Sequence, residues 1–198
     1  MGNIILSKTL KRKKVIFMCR ILNNLRGRTP EEILRQYETN KTIPVNLEDI
    51  VRNIGISVIP KDFSRLENKY KGLDIQGFLV TTGDNAAIYY KESDDAYNIR
   101  VTVAHELGHC CNLTNEHDIP HVELRSKIKD DNEKEMDRFA SKLLIPTDRL
   151  TEVYMSLPVP KTDILARKFK VPTSFMEFRL NDIKVSHFTE EGKMVVYD

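Results

Sequence analysis

The sequence predicts an α+β fold: a small antiparallel sheet packed on a histidine-bearing helix and a second helix, with extra helices at both ends. Three observations predict it. Apolar runs at residues 77–80 and 86–90 flank Thr82-Gly83-Asp84-Asn85, which is strong turn chemistry, so the two runs form a hairpin. A helix is expected to follow, from about Asp95 to Cys111. Farther on, Met136, Phe139, Ala140, Leu143 and Leu144 recur at i, i+3, i+4, i+7 and i+8, the apolar stripe of an amphipathic helix over residues 132–145.

The remaining elements follow in chain order. Residues 30–39 read as a helix with Pro30 in its first turn and acidic residues near its positive end. Residues 44–55 read as a second helix, with Asn46 as N-cap and Gly55 as the C-terminal stop. A short strand is expected at 56–59. Residues 112–130 are polar and contain Pro120, so they form a long connection of the kind that often carries function. Pro146 stops the striped helix, and Thr147 or Asp148 can cap another. Residues 163–169 and 173–182 read as two short helices separated by Val171-Pro172, and residues 193–197 as a last strand.

Composition is that of an ordinary water-soluble domain: 40% hydrophobic and 30% charged over 198 residues. No run is apolar and long enough to predict a membrane span. Three cysteines, two of them adjacent at Cys110 and Cys111, argue against a disulfide framework and for a reducing cytoplasm. Charge is uneven. Residues 1–30 carry eight Lys or Arg and no Asp or Glu, which leaves the rest near −6 within an overall +2. The division expected is a basic arm over 1–29, a main domain over 30–158 and a small helical appendage over 159–198. The arm reads as a solvated terminus, with weak DNA contact as the alternative.

The chemistry centres on His105-Glu106-Leu107-Gly108-His109. Four residues advance a helix by about 400°, so both imidazoles leave one face, one turn apart. Two neutral imidazoles at that spacing can reach one Zn²⁺ at about 2.0–2.1 Å. Glu106 lies about 100° round the helix from His105, beside the metal and not under it. There it can act on a water without being a ligand, as the HExxH pattern of metallopeptidases requires. Gly108 lets a neighbouring strand or substrate approach closely.

A catalytic zinc needs a third protein ligand and an open position. Downstream candidates are Cys110, Cys111, His117, His121, Asp130, Asp131, Glu133, Glu135 and Asp137. The two cysteines follow His109 too closely to turn back onto the same ion and read as core. Glu135 is preferred: it lies four residues before Phe139, at the edge of the apolar stripe. Asp137, about 200° away, is expected to point elsewhere. His117 and His121 read as loop histidines, one of which could donate to a reacting oxyanion. Alternation sends Tyr89 and Tyr90 to opposite faces, one into the core and the other toward a substrate groove.

Over residues 44–182 the chain resembles the ImmA/IrrE family of zincin-like metallopeptidases. The most specific stretches are 101–109, around the two histidines, and 135–146, Glu-Met-Asp-Arg-Phe-Ala-Ser-Lys-Leu-Leu-Ile-Pro. The resemblance implies a zincin-like fold, zinc on His105, His109 and Glu135, and Glu106 as catalytic base. Where the family usually has Ala-Asn after the ligand Glu, this chain has Met136-Asp137. The resemblance also implies the substrate: a helix-turn-helix repressor of a mobile element or a stress response. The competing function is a DNA- or protein-binding regulator with a structural or vestigial zinc, supported by the basic arm and the helix-turn-helix-like spacing of residues 163–174.

Overall fold

A computed structural model describes residues 20–69, 75–82, 85–112 and 131–183. Expectations for His117, His121, Asp130, the turn at Gly83-Asp84, the strand at 193–197 and the first 19 residues of the basic arm lie outside these residues.

Helix α1 (Arg20–Leu25) precedes α2 (Pro30–Tyr37), whose start is built by a reciprocal pair of capping bonds. Thr29 Oγ1 accepts from the Glu32 N–H at 3.3 Å, and Glu32 Oε2 accepts from the Thr29 N–H at 2.9 Å. The helix ends two residues earlier than expected because Glu38 is extended there. The Glu38 carboxylate is paired with Arg149, deep in the protein. Helix α3 (Leu47–Ile54) has the caps its sequence predicts: Asn46 Oδ1 accepts from the Asp49 N–H, and Gly55 takes the left-handed conformation at φ 93°.

Three strands follow: β1 (Ile56–Lys61), β2 (Gly77–Thr82) and β3 (Asn85–Lys91), with α4 (Ser64–Lys69) between the first two. The hairpin forms, with Thr82 opposite Asn85 and Gly77 opposite Tyr90. The sheet is mixed, however, and not antiparallel as expected. Its order is β1-β3-β2, and β1 runs parallel to β3 with Ile56 opposite Ala86. The chain leaving β1 passes the position of β3 to reach the far edge. The hairpin then returns into the middle, so its second strand repeats the direction of β1. Turn chemistry fixes how β2 meets β3 but says nothing about which of them lies beside β1.

The sheet packs on α5 (Ala96–Asn112), and α5 packs on α6 (Asp131–Leu144). Every residue of α5 from Val101 to Cys111 is buried, so this central stretch of the helix has no solvent face. Helices α7 (Thr147–Ser156), α8 (Thr162–Phe169) and α9 (Thr173–Asp182) complete the described chain. Helix α7 begins at Thr147 with no side-chain cap. The two residues expected to cap it are engaged elsewhere: Thr147 Oγ1 accepts from Arg179 at 2.8 Å, and Asp148 pairs with Lys41. Arg179, buried in α9, also donates to the Ile145 carbonyl at the end of α6. Leu165, Phe169 and Met176 thereby join the same apolar core as the sheet and α5.

Two leucines of the basic arm belong to that core as well. Leu22 and Leu25 are buried in it, and the Gly27 N–H donates to the Cys111 carbonyl at 2.7 Å. Truncation to Met18 keeps both leucines, whereas truncation to Thr29 removes them, so the shorter protein is expected to be the less stable of the two. Losing such side chains costs about 2–5 kcal/mol each. Thermal unfolding of the two truncations checks this, and equal midpoints would show that α1 contributes nothing.

Candidate active site

Helix α5 is set by Asp95. Its carboxylate accepts from the Tyr97 N–H at 2.8 Å, the Asn98 N–H at 3.1 Å and the Asn98 side-chain amide at 2.6 Å. These bonds, the Asn98 N–H first, hold its carboxyl below the usual range. The helix then carries His105, Glu106 and His109 into the interior, each less than 5% exposed. Burying three such groups together is costly unless they meet partners of complementary charge.

Partners for the two imidazoles come from α6. Glu133 Oε2 lies 3.3 Å from His105 Nε2, and Glu133 Oε1 lies 3.2 Å from His109 Nε2. The two Nε2 atoms are 3.0 Å apart. Asp137, one turn after Glu133, places Oδ1 at 2.9 Å from His105 Nδ1. Glu135, the expected third ligand, is not brought to the imidazoles. It is exposed and lines a cavity with Gly27, Arg28 and Arg138.

The difference is one of helix phase. Phe139, from which Glu135 is one turn removed, is only half-buried, while Met136, Ala140 and Ser141 are buried. Stepping back three or four residues from Met136 and Asp137 leads to Glu133. The pair Glu133 and Asp137, four apart on the face of Met136 and Ala140, was the available signal. Asp137 faces His105 and not the far side of the helix.

Other candidates have different surroundings. Cys110 and Cys111 are buried without a disulfide, and burial pushes the Cys111 thiol up to about 12. Asp131 is exposed and paired with Lys134 at 2.9 Å. Tyr89 stacks on Phe78 with ring centroids 5.1 Å apart, while Tyr90 lines a cavity with Ile99 and Arg100. Both tyrosines are half-buried, so neither is a full core residue.

Two glycines set the spacing of the elements. A Cβ on Gly108 would come 3.1 Å from Met136 Sδ and from Phe139 Cδ1, so the element that approaches closely here is α6 and not a strand. A Cβ on Gly77 would come 2.5 Å from Thr102 Cγ2, 2.9 Å from the Tyr89 carbonyl oxygen and 3.6 Å from Glu106 Oε1. Gly77→Ala is therefore expected to push β2 off α5 beside Glu106, at about 1–3 kcal/mol. Denaturant unfolding reads this directly; an unchanged midpoint would mean that the strand yields freely.

His105, His109 and Glu133 could hold one metal ion. Donors bonded to zinc at about 2.0–2.1 Å in a tetrahedron lie about 3.3 Å from one another. The two imidazole nitrogens are 3.0 Å apart and each lies 3.2–3.3 Å from its nearer Glu133 oxygen, Oε1 for His109 and Oε2 for His105, so the donors cluster on the scale of that edge. The donor types, two imidazole nitrogens and a carboxylate, also suit zinc. Glu106 sits next to the group without joining it.

An HExxH helix under a small mixed sheet, with a carboxylate supplied by a second helix, defines an α+β protein of the zincin-like kind. A family model for peptidase M78, described as the IrrE N-terminal-like domain, matches residues 51–181, and the chain belongs to this family. The match runs from α3 into α9 and includes every residue of the buried cluster. No curated protein and no solved structure matches the chain. Among the described residues, no helix is long and apolar enough to cross a membrane.

Proposed function

We propose that this protein is a zinc-dependent endopeptidase that cleaves a helix-turn-helix repressor of a mobile element or stress response. The observation that carries the reading is the convergence of His105, His109 and Glu133 around one point, with Glu106 adjacent, in a chain of a peptidase family. His105 Nε2, His109 Nε2 and a Glu133 oxygen would hold the ion. When bound, zinc supplies Lewis acidity toward a water and a substrate carbonyl.

The chain's own residues do the rest. Glu106 accepts a proton from the attacking water as the new C–O bond forms, then delivers it to the amine as the C–N bond breaks. Its burial at the junction of α5 and β2 keeps the carboxylate away from bulk solvent. The substrate assignment is supported by family membership. The proposed compartment is a reducing cytoplasm, a reading supported by the two thiols buried in α5.

Coexpression with a candidate helix-turn-helix repressor from the same genome tests the proposal. The expected result is loss of full-length repressor and appearance of two fragments that define one internal bond. A repressor left intact by zinc-loaded protein, in cells and after purification, would sink the substrate assignment.

A further inference from the structure

We infer that Asp137 is a positioning residue that locks the His105 ring with its proton on Nδ1 and Nε2 turned toward His109 and Glu133. The inference rests on the metal-site reading and goes beyond the ligand set. Asp137 is buried in α6, and its Oδ1 lies 2.9 Å from His105 Nδ1. A carboxylate oxygen at that distance accepts the hydrogen bond of an Nδ1–H, which selects the tautomer protonated on Nδ1. Nε2 is then the lone-pair nitrogen, and it is the one 3.3 Å from Glu133 and 3.0 Å from His109 Nε2. Because Glu133 and Asp137 are four residues apart, one face of α6 grips both edges of the same imidazole. Helix α6 thus supplies a donor to the ion and aims a donor that belongs to α5. A carboxylate that fixes a ligating histidine through its other nitrogen commonly matters 10–100-fold for metal affinity.

The test uses full-length protein, zinc and a competing chelator of known affinity. Asp137→Leu is expected to bind zinc about 10–100-fold more weakly than wild type. Asp137→Asn, whose Oδ1 can accept the same bond, is expected to keep more affinity than Asp137→Leu. In the zinc-loaded wild type, ¹H–¹⁵N spectra should show an exchange-protected proton on His105 Nδ1, a signature that bulk packing alone would not produce. Wild-type affinity in Asp137→Leu would overturn the inference, as would Asp137→Asn binding as weakly as Asp137→Leu. If Asp137→Leu does not fold, the Nδ1 resonance decides, and its absence from the zinc-loaded wild type overturns the inference. Wild-type protein that takes up no zinc would sink the metal reading itself. Zinc-binding wild type with unaffected variants would sink only the role of Asp137.

Discussion

Glu106→Gln is expected to abolish turnover while leaving the metal site filled. The amide has nearly the volume of the carboxylate, so the gap between Gly77 and position 106 stays occupied without a new clash. His105 and His109 point to a face that Glu106 does not share, and their contacts with Glu133 do not run through it. An amide cannot take a proton from water, so cleavage should fall by at least about 10²–10⁴-fold, the usual loss for an acid–base group. Stability is expected to change little, because the amide keeps the volume and a hydrogen-bonding oxygen at the same position. The comparison is substrate half-life with the two proteins at matched zinc content. Equal rates would remove Glu106 from the chemistry, even with every ligand confirmed.

Glu133→Ala is expected to lose zinc, and Glu135→Ala to keep it. The two carboxylates are separated by two positions on α6, yet one is buried against both imidazoles and the other is exposed. Removing Glu133 takes a charged donor from a three-residue set, so the loss should exceed the roughly 10–100-fold typical of an outer-shell partner. Glu135→Ala should change neither zinc content nor stability beyond about 0.5 kcal/mol, as for most surface substitutions. Elemental analysis after dialysis reads both variants. Full zinc in Glu133→Ala together with loss in Glu135→Ala would reverse the assignment.

The parts of this protein legible in its sequence are those governed by neighbours along the chain. Asn46 and Gly55 bound α3 because capping and left-handed geometry involve only a few adjacent residues. His105 and His109 share a face because helix pitch puts them there. The hairpin register follows its turn, and α9 spans the residues its pattern indicates. What escaped depends on partners distant in sequence. The parallel pairing of β1 with β3 is decided by the path between β1 and β2. The phase of α6 is decided by which side meets α5, and Phe139, an aromatic that is only half-buried, pulled the stripe away from Glu133. Helix α1 has six residues and α4 six, too few for a hydrophobic period to show.

The contact at Gly108 has a consequence for how tightly any ion is chelated. His109 and Glu133 are 24 positions apart, and drawing two such points together in a loose chain costs roughly 3 kcal/mol or more in loop entropy. Here the close approach of α5 to Met136 and Phe139 at Gly108 makes that closure part of the fold. The bite of the chelate is therefore set by how closely two helices stack, at a residue whose side chain is a single hydrogen. Linkage works in the other direction too: each tenfold rise of free ion above its dissociation constant adds about 1.4 kcal/mol to the folded state. On the metal-site reading, ion binding and the seam between α5 and α6 are thermodynamically linked, so the unfolding midpoint is expected to rise with added zinc.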